Sequence, residues 1–189
     1  MVYGRFCFSS YDRACFTAVC SSWRTVASWH PTLPALPLLH PLTGGCQDTG
    51  SGGTGAIIRD DMGGFLAASC CGIPFISDPS TAEARALRDG LILAGQIGCN
   101  RLEVNSDCMD VIDVMVNGGN SLGPAAAIYE ECSFLCRNFT EALFSHCPRE
   151  ANMAAHELAR HSGGTELIVW LDDPPDFILS VLAQDASIM

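Results

Sequence analysis

Asp107 stands where a strand hands over to a helix. In Arg101-Leu-Glu-Val-Asn-Ser-Asp107, Leu102 and Val104 alternate with Arg101, Glu103 and Asn105, the two-residue period of a strand with one buried face. Asp110, Val111, Ile112, Val114 and Met115 then follow at helical spacing. Asp107 therefore falls at the carboxyl edge of a sheet, where open α/β sheets place their chemistry. A carboxylate there can ligate a hard cation or cap the next helix, and on its own the cap is the commoner role. Two other groupings carry reactive types. Cys132 and Cys136, with His146, Cys147, His156 and His161 downstream, offer zinc ligands in kind. Their spacing fits no ribbon or finger, and the two cysteines face inward on a helix, which makes them buried thiols. Gly52-Gly-Thr-Gly55 has the composition of a phosphate loop, but no Lys-Ser/Thr pair follows, and a tight hairpin approach accounts for it.

The elements that must position these groups follow in order. Ala56-Ile-Ile-Arg59 is a short strand, Asp60-Asp-Met-Gly-Gly64 a hairpin turn, and Phe65–Cys71 pairs back. Pro79 with Ser80 and Thr81 as caps opens a helix through about Ile97, stopped by Gly98, with Ala84, Leu87, Leu91 and Ala94 as its buried stripe. The helix after Asp107 stops at Gly118-Gly119, and Pro124 opens another through about Asn138. Thr140–Cys147 is a strand, and Glu150–His161 a helix with Ala151, Ala155 and Leu158 on one face. The tail carries Trp170, then Pro174-Pro175 opening a short helix, Asp176–Gln184. A hairpin followed by strands alternating with helices implies an α/β fold, a mixed sheet covered by helices. Upstream, Phe16, Val19, Cys20, Trp23 and Ala27 share a helical stripe, and Pro31, Pro34, Pro37 and Pro41 mark an extended linker. The chain divides into 1–37, helix and linker; 38–163, the α/β domain; and 164–189, the tail.

Composition sets the bounds. With 48% apolar and 16% charged residues, the chain can bury a sizeable core. No apolar run approaches the roughly 18–20 residues that cross a bilayer, so no membrane partner is expected. There is no apolar core with a small-residue cleavage site at the N-terminus, which reads as not secreted. Eleven cysteines without CxxC spacing read as thiols of a reducing compartment, intracellular, nucleus or cytoplasm. All basic residues are Arg, and the net charge of −11 opposes non-specific attraction to a phosphate backbone.

Two resemblances to known families are carried by particular residues. Asp12-Arg13, Phe16 and Val19-Cys-Ser-Ser-Trp-Arg24, followed by Pro- and Leu-rich sequence, resemble the second half of a plant F-box. The first helix of that motif has no counterpart before Tyr11, so the resemblance implies at most an incomplete surface for a Skp adaptor of a ubiquitin ligase. Four further motifs lie in order: Gly52-Gly-Thr-Gly-Ala-Ile-Ile-Arg-Asp-Asp61, Ala82-Glu-Ala-Arg-Ala-Leu-Arg-Asp-Gly90, Leu102-Glu-Val-Asn-Ser-Asp107, and His146-Cys-Pro-Arg-Glu-Ala-Asn152 with Ala155-His-Glu-Leu-Ala-Arg160. With Trp170-Leu-Asp-Asp-Pro-Pro-Asp-Phe-Ile178 they resemble the plant ribonuclease H-like domain, a reverse-transcriptase-like, retroelement-derived family.

That resemblance implies a ribonuclease H-like mixed five-stranded sheet, an antiparallel hairpin plus parallel strands, flanked by helices. It also implies cleavage of the RNA strand of an RNA–DNA hybrid with Mg2+ or Mn2+ held by four carboxylates. Glu83 matches the acid on the first helix and Asp107 the acid leaving the central strand. Thr43 falls where the first-strand aspartate belongs, and His156 falls one turn after Asn152, where the last aspartate belongs. His146 matches a histidine associated with product release, and Asn105 and Asn152 match positions facing nucleic acid. Imidazole is a poor magnesium ligand. Two lost ligands at a few kcal/mol each would cut the rate by about 10³-fold or more. The expectation is an RNA–DNA hybrid or RNA binder with impaired hydrolysis, or a non-catalytic nucleic-acid or protein-interaction module.

Overall fold

A computed structural model describes residues 14–21, 50–76, 78–119, 123–163 and 165–188, of which 14–21, 50–51, 76 and 186–188 are described in backbone only. The strands are β1 (Ala14–Ser21), β2 (Gly50–Asp60), β3 (Phe65–Ile76), β4 (Arg101–Ser106), β5 (Glu141–His146) and β6 (Ile168–Leu171). The helices are α1 (Pro79–Gln96), α2 (Met109–Asn117), α3 (Ala125–Cys136), α4 (Met153–His161) and α5 (Leu179–Ile188). Among the described residues the strands form one sheet in the order β5-β4-β1-β2-β3-β6. β1, β4 and β5 run parallel, and β1-β2-β3-β6 pair antiparallel. The mixed sheet flanked by helices is as the sequence implies, with a sixth strand from the tail.

Alternation along β2 divides the interior. Ala56 and Ile58 enter a cluster with Leu87, Leu91, Leu102, Val104, Val111 and Tyr129 beneath α1, α2 and α3. Ile57 points to the other face, against Ala154, Ala155, Leu158 and Ile178. Both faces are covered, and Ile57 and Ile58 are 1% and 0% exposed. Truncating either to Ala removes about 2–5 kcal/mol. Burial pushes the thiols of Cys99 and Cys132 up, to about 11 and about 12. Cys132 sits wholly buried, its sulfur near the Ala84 carbonyl, as an apolar filler.

Of the differences from the sequence reading, three bear on how the site is built. Asp78, not Ser80 or Thr81, caps α1; its carboxylate accepts from Thr81 N at 2.8 Å and Thr81 Oγ1 at 2.6 Å, with Pro79 in the first turn. The helix expected across Tyr11–Ala27 is replaced, over Ala14–Ser21, by β1 in the middle of the sheet. A strand there must hydrogen-bond on both sides, which the prolines at 31, 34, 37 and 41 cannot support but Cys15-Phe-Thr-Ala-Val-Cys20 can. The tail, set apart at 164–189 in the sequence, joins the sheet and the core. β6 pairs with β3 from Ala67↔Leu171 to Cys70↔Ile168, and Phe177, Val181 and Leu182 pack against the cluster under α4.

α4 packs closely over β2. A Cβ on Gly55 would lie 2.7 Å from Ala159 N and 2.9 Å from Leu158 Cβ, and would collide with the Ala155 carbonyl. The glycines read as a tight approach are that approach, made by a helix and not by a turn. Gly55→Ala is expected to cost about 1–3 kcal/mol by overpacking. Roughly 2–12 °C of Tm follows from that cost, measurable by thermal unfolding.

Candidate functional site

β4 ends at Ser106, whose hydroxyl oxygen accepts from Cys108 N at 3.1 Å, and Cys108 begins α2 without a side-chain cap bond. Asp107 between them is therefore free of the capping role open to it in the sequence. Its carboxylate turns instead to α4. Oδ1 accepts from Asn152 Nδ2 at 3.0 Å, and Oδ2 lies 3.1 Å from His156 Nε2. A carboxylate accepts, so Nε2 carries the hydrogen of that bond. Asn152 and His156 are one helical turn apart, and the His156 backbone N donates to Asn152 O, so α4 delivers both side chains together.

Two of the three side chains are buried, Asn152 at 0% and His156 at 4% exposed, while the Asp107 side chain keeps 15% of its surface exposed. Burial alone would raise the Asp107 carboxyl, but the hydrogen bond and charge of His156 and the bond from Asn152 outweigh it and hold the group below its ordinary value. Among the described residues, the buried Asn152 Oδ1 and His156 Nδ1 have no hydrogen-bond partner. Both nitrogens that face Asp107 are thus used, while the far atoms of the same side chains are not.

The other sequence-derived positions distribute around this core. Glu83 projects half-buried from α1, close enough that, after burial, its charge helps raise the Cys108 thiol beside Asp107. His146 is exposed at the end of β5, paired in register with Ser106, so it shares the carboxyl edge with Asp107. Asn105 is buried in β4 between Thr17 of β1 and Ser145 of β5. Thr43 lies outside the described residues. The strand beside β4 is Ala14–Ser21, which contains no acidic residue.

These groups do not fit a pair of divalent ions. Among the described residues no three of His, Cys, Asp and Glu gather as a metal cluster. Both Asp107 oxygens are engaged by nitrogen donors, and the side chain one turn beyond Asn152 is an imidazole, a poor ligand for magnesium.

Two residues were missed in the sequence. Asp185 of α5 is 2% exposed, and its carboxylate accepts from Met153 N at 3.2 Å and Ala154 N at 2.8 Å, capping α4. Arg59 of β2, 2% exposed, places Nη2 3.8 Å from Asp185 Oδ2 and donates from Nη1 to Leu182 O at 3.1 Å. Burial raises the Asp185 carboxyl, against the lowering effect of the two backbone N–H groups and Arg59. A signal existed: Ile178, Val181, Leu182 and Asp185 share one helical stripe, so the acid stands at a core position.

With the geometry in place, known proteins give a context. A family model described as reverse transcriptase-like matches residues 42–162. Among solved structures, the fold is similar to RNase H1 from the halophilic archaeon Halobacterium salinarum, at TM-score 0.62 and 18% identity over 79% of this chain and 96% of that one. It is similar to an N-terminal RNase H domain from Mycobacterium tuberculosis, at TM-score 0.62 and 21% identity over 80% and 93%. LC11-RNase H1, solved in complex with an RNA/DNA hybrid, matches at TM-score 0.59 and 18% identity over 79% and 95%. At these identities the likeness is one of fold. No curated protein matches the sequence.

Because the folded Asp107 carboxyl lies below its ordinary value of 3.8, its contribution to stability is complete above that value and is lost as pH falls through the lower folded one. Urea unfolding of the wild type should show that loss, and His156→Ala should flatten it. At neutral pH the same variant is expected to lose about 1–3 kcal/mol, the cost of a buried acceptor left short of a donor. Coincident acid profiles for the two proteins would separate His156 from the Asp107 shift.

Proposed function

Since the chain belongs to the reverse transcriptase-like family, we propose that it is a ribonuclease H-like nucleic-acid-binding domain whose metal-dependent cleavage of RNA–DNA hybrid is impaired. The observation that carries this reading is the engagement of Asp107 by Asn152 and His156. In place of four acids for two Mg2+ or Mn2+ ions, the described residues offer Glu83 and Asp107, and the second is already bonded. A cation seated there would have to displace two nitrogen donors from one carboxylate. Metal of either kind is then held weakly, and His146, exposed at the same edge, has little product to release.

Hybrid or RNA binding does not depend on that metal pair. Shape and 2′-hydroxyl contacts at the sheet edge supply recognition that a net charge of −11 weakens and makes salt-sensitive; Asn105 and Asn152, expected to face nucleic acid, are buried and leave those contacts to exposed neighbours. The free thiols of the described cysteines support an intracellular setting, nucleus or cytoplasm. The motifs within 52–61, 82–90, 102–107 and 146–160 are the support for a plant, retroelement-derived origin, and the resemblance of 12–24 to a plant F-box is the support for a Skp adaptor as a second partner. The central position of Ala14–Ser21 in the sheet weighs against the latter, since a strand bonded on both sides is not a free helix.

Cleavage of a labelled RNA–DNA hybrid in Mg2+ and in Mn2+ tests the proposal. Two lost ligands are expected to leave the rate at least about 10³-fold below that of a four-carboxylate ribonuclease H. His156→Asp should raise it, and Glu83→Gln should abolish whatever remains. Brisk wild-type cleavage stopped by Glu83→Gln would overturn the impairment. Retention of hybrid in a gel shift at low salt, lost as salt rises, is expected of the binder; no retardation at low salt would remove it.

A further inference from the structure

α4 begins at an asparagine that does not cap it. Asn152 occupies the position before Met153, where Asn is among the most favoured residues because its side-chain oxygen accepts from the first-turn N–H groups. Here the side chain makes no such bond. Its Nδ2 donates to Asp107 at 3.0 Å, and its Oδ1, the atom a capping asparagine would use, is buried with no partner among the described residues. The N–H groups of Met153 and Ala154 go instead to the carboxylate of Asp185, more than thirty residues along the chain.

Two acceptors thus compete for one helix end. The Asp185 carboxylate has the advantage of charge, since charge-assisted bonds are stronger and an anion is favoured at a helix N-terminus. It is also held in place. Arg59 reaches both Asp185 and the Leu182 carbonyl, and Ile178, Val181 and Leu182 pack on Ala154, Ala155 and Leu158. Phe177 stacks on His161 with ring centroids 3.9 Å apart, fixing the far end of α4 to the same tail.

We propose that Asp185 is a positioning residue of the site: by capping α4 from the far end of the chain, it leaves the Asn152 side chain on Asp107 instead of on its own helix. Asp185 and the helix that carries it lie beyond the family match, which ends at 162, while Arg59 lies within it. The inference concerns the geometry of the site and stands whether or not the site cleaves nucleic acid. Removing Asp185 lets Asn152 turn back, its Oδ1 taking the vacated Ala154 N–H, and Asp107 loses one of its two donors.

The test is hydrogen exchange followed by NMR on the full chain, comparing wild type with Asp185→Ala. The expected result is exchange of the Asn152 side-chain amide faster by about tenfold or more, with the Ala154 backbone amide still protected because Asn152 now caps it. A merely structural role predicts that both lose protection together, and that outcome overturns the proposal, as does an Asn152 amide that keeps its protection. Should Asp185→Ala not fold, Asp185→Asn, which keeps one acceptor and loses the charge, is expected to move the same two signals in the same sense. Phe139→Leu, in the opposite core cluster, is the control for lost stability. If it reproduces the pattern at an equal loss of Tm, the proposal fails.

Discussion

The approach of α4 to β2 sets the position of everything at the carboxyl edge. Gly53 and Gly55 leave no side chain beneath the helix, so its backbone lies directly on the strand and Asn152 and His156 come within hydrogen-bond reach of Asp107. A methyl group at Gly53 would collide with the Ala159 carbonyl and one at Gly55 with the Ala155 carbonyl, lifting α4 by about 1 Å and stretching those hydrogen bonds. Such bonds weaken steeply with length, so the site tolerates little of that movement. Packing here is thus not separate from chemistry.

A helix lying so close to a strand also needs its ends satisfied, because unpaired N–H groups in an interior are costly. Asp185 and Arg59 meet that need with a pair of buried charges, an arrangement that stabilises only when both partners and their remaining hydrogen bonds are present. The tail strand β6 and helix α5 therefore belong to the same mechanical unit as the site. Trp170 and Phe177 meet edge to face at 5.9 Å, tying β6 to the turn before α5.

Asp107 shows how a carboxylate at a sheet edge is satisfied by side chains one turn apart on a single helix. Its carboxyl is held low, and the stabilising partners are side chains of the same protein. Electrostatic need and hydrogen-bond capacity are both met from within. The result is a largely buried polar cluster at the carboxyl edge of the sheet.

Much of this was legible in the order of residues. The alternation of Leu102 and Val104, the glycine stops at 98 and 118, and the stripe Ala84-Leu87-Leu91-Ala94 are local signals, and each names its element because neighbours in sequence decide it. The motifs around Asp107 and Asn152 likewise marked two residues that the structure brings within hydrogen-bond distance. Strand β1 was not legible: Phe16, Val19 and Cys20 satisfy a helical stripe as well as a strand, and only the partners on either side, β2 and β4, choose between them. Nor was the cap on α4, since Asn152 is the capping residue that local rules select. Its diversion to Asp107 depends on a carboxylate brought in by a helix at the other end of the domain. Sequence determined what each segment could become; tertiary structure decided which of two competing hydrogen-bond acceptors each helix end received, because that competition is settled by distance in space.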